Sequence, residues 1–275
     1  MARSKQSDSN QRAEEEAALK AAMDKIHHKI IVLSGKGGVG KSTVAVNMAV
    51  ALSDAGKRVG LLDADIHGPS LPVLLGLEGT EVHSDGERLI PLFWRDVKVM
   101  SMGFLLKKRD DAVIWRGPLK MGVLKQFLKD VDWGELDFLL VDSPPGTGDE
   151  PLSICQLISD LDGALVVTTP QEVAASDVRK SIRFCQQVGV PVLGIVENMS
   201  GFQCPHCGKV THIFRTGGGE AMAQEYGVPF LGRIPLDPAV GEACEEGKPF
   251  VQSKEKSPAR EALEALLQPV LKLDT

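Results

Sequence analysis

Short apolar segments alternate with helix-length segments from Lys29 to the end of the chain. Most of the apolar segments lack polar residues at alternate positions, which is typical of strands buried on both faces. The predicted strands are Ile30–Leu33, Val59–Leu62, Phe138–Val141, Ala164–Thr168, Val192–Val196 and Phe230–Arg233. The predicted helices lie near 42–55, 119–130, 150–159, 172–188, 217–226 and 258–272. Because strands and helices alternate, the pattern predicts an α/β fold, a mostly parallel sheet flanked by helices on both faces.

Two segments depart from this alternation. Residues 1–28 are polar and then rich in Ala and Glu, and they predict a disordered or helical N-terminal arm. Residues 80–103 place Ser84–Glu87 between short strand-like segments, which predicts a small hairpin insertion. No internal repeat or Pro/Ser-rich linker divides the rest, so residues 29–275 are predicted to form a single domain.

Charge and composition narrow the possible partners. The net charge of −6 argues against binding to duplex DNA, which requires a basic face. No apolar run is long enough for a membrane span, and the N-terminus has no apolar core for a signal peptide. Five cysteines are too few and too scattered for a disulfide framework. We therefore expect a cytoplasmic protein that has neither a membrane nor a nucleic acid as partner.

A glycine-rich loop joins the first predicted strand to the helix near 42–55. Glycines let successive backbone N–H groups converge on phosphate oxygens, and the helix that follows presents its positive end to them. In such a loop Lys41 reaches the β- and γ-phosphates and the Ser42 hydroxyl binds Mg²⁺. The predicted ATP-binding residues are Gly35, Lys36, Gly37, Gly38, Val39, Gly40, Lys41, Ser42 and Thr43.

Acidic residues at the ends of predicted strands complete this site. Asp142 ends an apolar strand and is predicted to hold the Mg²⁺ shell. Asp63 and Asp65 follow another strand; Asp65 is the better candidate for orienting the attacking water, whereas Asp63 can simply bond local backbone. Lys36 is a second lysine in the loop, which can offset charge on the γ-phosphate in its own site or in a partner subunit. We therefore expect Lys36, Lys41 and Asp65 to be catalytic.

Cys204 and Cys207 form a CxxC pair, whose two thiolates can chelate one metal ion or one edge of a cluster. A complete site needs four ligands, and the chain has only one such pair. Two copies of the chain would together supply four thiolates on a twofold axis. The spacing alone does not choose between zinc and an iron–sulfur cluster.

These motifs together resemble the Mrp/Nbp35 (ApbC-like) family of iron–sulfur cluster carriers, within the deviant Walker A ATPases that include MinD, ParA and the nitrogenase iron protein. Besides the loop Gly35–Thr43, the matching motifs are Asp63–Ser70, Trp115–Pro118, Asp142–Asp149, Glu197–Ser200 with the CxxC pair, Gly217–Glu220 and Ile234–Pro238. The resemblance covers roughly residues 28 to 250. It departs from the eukaryotic Nbp35 branch, because residues 1–28 contain no cysteine for an extra N-terminal cluster.

The resemblance implies a P-loop NTPase fold and a slow ATPase that uses ATP and Mg²⁺. It also implies a homodimer that holds a labile [4Fe–4S] cluster between Cys204 and Cys207 of two subunits and transfers it to apo-proteins. Lys36 would act across the dimer, and Asn198, Pro235 and Asp237 would contact adenine. Two alternatives stay open: a MinD/ParA-like switch that dimerises with ATP, and an ATPase with a structural zinc ion at the CxxC pair.

Overall fold

The computed structural model describes residues 2–105, 117–204, 206–254 and 256–274, without the side chains of residues 2–9, 117–118 and 172–175. Trp115 and Arg116 of one predicted motif, and Pro205 inside the CxxC pair, lie outside the described residues.

A central sheet carries the fold. The strands of the described chain are β1 Ile26–Leu33, β2 Val59–Asp63, β3 His83–Ser84, β4 Leu89–Ile90, β5 Leu92–Trp94, β6 Val97–Ser101, β7 Leu136–Asp142, β8 Gly163–Thr168, β9 Val192–Glu197, β10 Phe202–Gln203, β11 Val210–Thr211 and β12 Phe230–Arg233. Eight of them form one sheet in the order β12-β9-β8-β1-β7-β2-β6-β5. Its neighbouring strands run parallel, apart from the antiparallel pair of β5 and β6.

Helices cover both faces of this sheet. They are α1 Ala2–Met23, α2 Lys41–Asp54, α3 Leu71–Leu74, α4 Gly117–Lys129, α5 Asp149–Leu157, α6 Glu172–Val188, α7 Gly218–Tyr226, α8 Pro238–Glu245, α9 Pro258–Ala265 and α10 Leu267–Leu271. The crossover through α2 runs from β1 towards β2, whereas those through α5, α6 and α7 run in the opposite direction along the sheet. Because parallel crossovers are right-handed, α2 lies on one face and the other three lie on the opposite face. The predicted fold class is confirmed.

Part of the segment 80–103 belongs to the central sheet, whereas the sequence predicts only a hairpin insertion there. Strands β3 and β4 do form a small antiparallel pair, with His83 opposite Ile90. Strand β6, however, extends the central sheet beside β2, and β5 forms its edge. Val97, Val99 and Met100 are fully buried there, so this part of the segment belongs to the core.

The N-terminal arm takes the helical one of its two predicted forms. Leu19 and Met23 near the end of α1 are buried, and Glu15 forms a salt bridge to Lys125 of α4. Buried Lys29 donates from Nζ to the carbonyl oxygens of Met23 and Ile26, at 3.2 and 2.6 Å. Because β1 begins at Ile26, the predicted domain boundary at residue 29 falls inside a strand.

The predicted helix at 258–272 consists of two helices, α9 and α10, followed by a short 3-10 turn. Pro269 lies in the middle of this segment and has no N–H to continue the helical hydrogen bonds, which accounts for the break. Leu263, Leu266 and Val270 are buried, and both helices pack against α2. The apolar side chains of this C-terminal segment are therefore covered by the chain's own core.

Candidate functional site

Three strands bring their carboxyl ends together at one edge of the sheet. In the parallel register Val32 of β1 pairs with Asp142 of β7, and Asp142 pairs in turn with Asp63 of β2. The loop Gly35–Thr43 leaves the same edge directly after β1. The crossover that follows β1 runs towards β2, whereas the crossover that follows β7 runs in the opposite direction, to β8. The direction of the crossovers therefore reverses here, which makes this edge a topological switch point, the place where α/β proteins bind ligands.

The glycines of the loop are required by its surroundings. A side chain at Gly35 would collide with the backbone and Cβ of Asp177. Gly40 has φ of 81° and its α-carbon faces the amide of Asn198, so a Cβ there would be both strained and obstructed. Helix α2 begins immediately afterwards at Lys41, without a side-chain cap. The first N–H groups of a helix have no partner within the helix, so those of α2 are available at the loop. The loop thus has the geometry of a phosphate cradle.

Lys41 and Asp142 form a buried ion pair beneath this cradle. Their side chains are 7% and 0% exposed, and Lys41 Nζ donates to Asp142 Oδ1. Asp142 Oδ2 and Thr169 Oγ1 are the buried side-chain oxygens that have no hydrogen-bond partner among the described residues. A buried carboxylate oxygen left unpaired beside a lysine is suited to accept from a water of the Mg²⁺ shell. The residues therefore fit a bound Mg²⁺–nucleotide.

Asp63 is held rigidly next to this pair. Its side chain is fully buried and accepts hydrogen bonds from the Ser101 hydroxyl at 3.0 Å and from backbone N–H groups of Asp65, Ser70 and Leu71. Burial, together with the charge of Asp142, raises the pKa of Asp63 to about 7. Burial also raises the pKa of Asp142, although Lys41 opposes the shift. Two neighbouring carboxyls in a dry site cannot both ionise at low cost.

We predict that binding of Mg²⁺–nucleotide at pH 7 releases protons from this pair. A divalent cation favours the ionised carboxylates, so Asp63, whose pKa is about 7, loses its remaining proton on binding. At pH 8.5 the carboxyl is already ionised, and the release should decrease. Calorimetric titration in two buffers of different ionisation enthalpy measures it. Asp63→Asn should reduce it, because only the carboxyl of Asp142, whose pKa burial also raises, then remains. A proton release that increases between pH 7 and pH 8.5 would contradict the view that Asp63 is its source.

Other residues predicted for the site lie around the same edge. Ser42, the predicted Mg²⁺ ligand, follows Lys41 in the first turn of α2, with 3.5 Å between Lys41 Nζ and the Ser42 hydroxyl. Asp65 is half-buried in the loop after β2, where it accepts from the N–H groups of His67 and Gly68. Lys36 is half-buried, and its Nζ donates to Gln171 Oε1 at 3.2 Å. Within this chain, Lys41 therefore pairs with the carboxylate of Asp142, whereas Lys36 bonds to Gln171.

Of the residues predicted to contact adenine, Pro235 and Asp237 line the same pocket, and Asn198 is not among its lining residues. Asn198 lies against the phosphate loop and donates from Nδ2 to the carbonyl oxygen of Val39 at 2.8 Å. Asp237 caps α8 by accepting from the N–H of Ala239 at 3.0 Å. Pro235 and Asp237 line a pocket of about 490 Å³ that also includes Cys204. The adenine assignment stays a prediction.

The CxxC pair lies on a small hairpin. Strands β10 and β11 are antiparallel, and the N–H of Gly208 donates to the carbonyl oxygen of Cys204 at 2.9 Å. Cys204 is half-buried and Cys207 is exposed. The pKa of Cys204 is lowered because backbone N–H groups of Cys207 and His206 point at its sulfur. A lowered pKa favours the thiolate, the form that binds metals. Among the described residues no group of three or more potential metal ligands occurs.

The remaining cysteines are in different surroundings. Burial raises the pKa of Cys155 to about 11 and that of Cys185 to about 12, as expected for inert core thiols. Cys244 on α8 is half-buried, and its sulfur lies 3.8 Å from the hydroxyl of Thr43. No local sequence pattern indicates this contact, because 201 positions separate the two residues.

Glu197 is a buried residue beside the site, and the sequence patterns assign it no role. It ends β9, its side chain is fully buried, and it accepts four hydrogen bonds. The available signal was a carboxylate directly after four apolar strand residues, the same signal that identified Asp142. Ser101 is also not identified by the sequence pattern, because the pattern predicts only a hairpin insertion over residues 80–103.

The sheet order, the phosphate cradle and the buried lysine–aspartate pair define the chain as a P-loop nucleoside-triphosphatase of the MinD/ParA class. A family model of that class, described as the NUBPL iron-transfer P-loop NTPase, matches residues 25–271. The chain belongs to this family, which confirms the resemblance found in the sequence. It is thereby a member of the iron–sulfur cluster carrier and assembly factors.

Curated relatives support the same assignment. The chain is 55% identical over 240 residues to an iron–sulfur cluster carrier protein of Methanocaldococcus jannaschii, a match that covers 87% of this chain and 83% of the relative. It is 52% identical over 251 residues to the human cytosolic Fe-S cluster assembly factor NUBP2, and this match covers 90% and 93% of the two chains.

Solved structures show the same fold. The nucleotide-binding protein of Archaeoglobus fulgidus in complex with ADP has a TM-score of 0.77 at 44% identity, over 85% of this chain and 92% of that one. The septum site-determining protein MinD of Pyrococcus horikoshii with Mg-ADP has a TM-score of 0.66 at 26% identity, over 90% and 97%. None of the helices in the described part of the chain combines the length and the apolar content that a membrane span requires.

Proposed function

We propose that this protein is a slow ATPase that carries a labile [4Fe–4S] cluster between two of its own subunits and transfers the cluster to apo-proteins in the cytoplasm. The half-complete thiolate site carries this proposal: Cys204 and Cys207 lie on one exposed hairpin, and no third ligand joins them among the described residues.

The nucleotide part of the proposal rests on the edge of the sheet. Backbone N–H groups of residues 35–43 and the N-terminus of α2 would bind the phosphates, and Lys41 would move from Asp142 towards the β- and γ-oxygens. Bound Mg²⁺ would supply charge neutralisation at the transferring phosphoryl group. Ser42 and Asp142 would hold that ion, and Asp65 would orient the attacking water. Lys36 would reach the γ-phosphate held by the partner subunit.

The cluster-binding part of the proposal rests on the number of thiolate ligands that each chain supplies. A [4Fe–4S] cluster needs four protein ligands, usually thiolates, and one chain offers two. A second copy placed about a twofold axis supplies the other two, and the exposed position of Cys207 leaves room for it. A site shared between subunits can open without unfolding either of them, which suits a cluster that must leave.

The switch alternative is less well supported. A MinD-like protein that binds a surface through its C-terminus needs a free amphipathic helix. Here Leu263, Leu266, Leu267 and Val270 are buried against the rest of the chain. Zinc at the CxxC pair is chemically compatible with four thiolates, so metal identity is part of the test.

The proposal is tested by anaerobic reconstitution with iron and sulfide, followed by transfer to an apo-enzyme whose activity requires a [4Fe–4S] cluster. We expect about one cluster per two chains, as four thiolates per cluster require. We also expect the acceptor enzyme to gain activity faster than it does with free iron and sulfide at the same concentration. A chain that binds zinc but no cluster when purified without air would contradict the proposal.

A further inference from the structure

Glu197 connects the two ends of the segment that carries the CxxC pair. Its Oε1 accepts from the Ser200 hydroxyl at 2.6 Å, just before the hairpin, and from the N–H of Gly217 at 3.1 Å, just after it. Its Oε2 accepts from the N–H of Gly219 at 2.7 Å, in the first turn of α7. One buried carboxylate thereby fixes the base of residues 201–216 on both sides.

The fit around Glu197 is close. A Cβ at Gly219 would lie 3.2 Å from both Cβ and Oε2 of Glu197, so only glycine fits comfortably there. Arg233 of β12 donates from Nε to Oε1 at 3.3 Å and places a positive charge beside the buried carboxylate. The positive N-terminal end of α7 adds to this stabilisation. With four donors, one of them the charged Arg233, the carboxylate is fully satisfied and has a single favourable position.

The residue next to Glu197 contacts the phosphate loop. Asn198 donates from its side chain to the carbonyl oxygen of Val39 and from its backbone N–H to Thr168, at 2.8 and 2.7 Å. Met199 then has φ of 58°, one of two non-glycine residues with positive φ in the described chain. Such a conformation is unfavourable for a residue with a side chain and is retained when both neighbours are fixed. Here the neighbours are fixed at the phosphate loop and at Glu197.

We propose that Glu197 is a positioning residue that couples the occupancy of the phosphate loop to the geometry of the CxxC hairpin. When phosphates fill the loop, the Val39 carbonyl and Gly40 are ordered around them, and Asn198 follows because it is bonded to this carbonyl. Met199 and Ser200 transmit the change to Glu197, which holds the two ends of the hairpin segment. The short bonded path provides a physical connection between the two sites.

The inference rests on the proposed function for the cargo, but its test does not require a cluster. The alkylation rate of Cys207, an exposed thiol, reports hairpin geometry in the apo-protein. We expect saturating Mg²⁺–ATP to change this rate by about fivefold or more, which is the lower end of typical couplings between sites. In Glu197→Gln the ratio of the rates with and without nucleotide should fall to about one, because an amide cannot accept from all four donors.

Glu220→Gln is the matched control. Glu220 lies on α7 and pairs with Arg233, but its side chain is 43% exposed, and it does not hold the hairpin ends. We expect this variant to keep the full nucleotide effect. Nucleotide affinity and thermal stability are measured on every variant, and Glu197→Gln should bind Mg²⁺–ATP as the parent does. Ser200→Ala, which removes a single donor, should give an intermediate ratio and serves if Glu197→Gln does not fold.

Two results would overturn this inference. One is a parent protein that binds Mg²⁺–ATP without any change in Cys207 reactivity. The other is a folded Glu197→Gln variant that keeps the nucleotide effect. Neither result touches cluster binding itself, which is decided by iron and sulfide content after reconstitution. Failure of the coupling and failure of the proposed function are therefore distinguishable.

Discussion

Replacing Cys204 and Cys207 together by alanine is expected to remove the cluster completely. If two chains contribute two thiolates each, the double variant leaves no protein ligand, and iron content should drop from about four per two chains to a background level. Each single variant leaves two thiolates per dimer and should also lose the cluster, or hold it only briefly. Iron and sulfide analysis after anaerobic reconstitution measures the loss, together with absorbance in the visible range.

The control for this experiment is Cys155→Ala. Cys155 is half-buried on α5, and burial raises its pKa to about 11, so it does not offer a thiolate at neutral pH. We expect Cys155→Ala to reconstitute as the parent does. Nucleotide affinity should be unchanged in the CxxC variants, since the hairpin contributes no residue to the phosphate loop. A double Cys204/Cys207 variant that reconstitutes normally would contradict the assignment of the cargo site.

Lys36→Ala is expected to slow ATP hydrolysis by about two orders of magnitude, a typical loss when one charge that stabilises the transition state is removed. ATP affinity should change little, because Lys41 lies on the phosphate side of its own site and Lys36 Nζ bonds Gln171. Effects of this kind lower kcat and leave KM nearly constant. Steady-state phosphate release and separate binding titrations measure the two quantities.

The matched control is Lys248→Ala, which removes a lysine whose side chain is 71% exposed and far along the chain from the loop. It should hydrolyse ATP as the parent does. Mixing Lys36→Ala with an inactive chain that retains Lys36 tests action across the dimer, because mixed dimers would regain one working site. If Lys36→Ala instead raises KM with unchanged kcat, Lys36 acts in ground-state binding, and its proposed role is wrong.

Much of the fold was predictable because the buried strands are short apolar runs. β1, β7, β8 and β9 lie in the middle of the sheet, where both faces are covered, and such strands read as continuous apolar segments. β6 is harder to recognise from the sequence, since Lys98 interrupts its apolar pattern. The helical state of residues 2–23 depends partly on Leu19 and Met23, which are buried by packing that local sequence does not reveal.

The residues of the candidate site also fall into two groups, those that a local sequence pattern indicates and those that depend on the packing of distant segments. Residues 35–43, Asp142 and the CxxC pair are local patterns with a fixed chemistry, so the sequence alone is enough to propose them as site residues, and their roles stay predictions. The buried contacts of Asp63 with Ser101, and of Glu197 with Gly217 and Gly219, join residues that are distant in the chain. They depend on strand order, which brings specific carboxyl ends together, and strand order was not predicted.

The central claim, that four sulfurs from two chains hold one cluster, is tested most directly by native mass spectrometry of mixed dimers. Parent chains and mass-tagged Cys204→Ala/Cys207→Ala chains are mixed, reconstituted without air and weighed intact in the presence of Mg²⁺–ATP. We predict a [4Fe–4S] mass on dimers of two parent chains, and none on mixed dimers or on monomers. A cluster carried stably by a single parent chain would contradict the account.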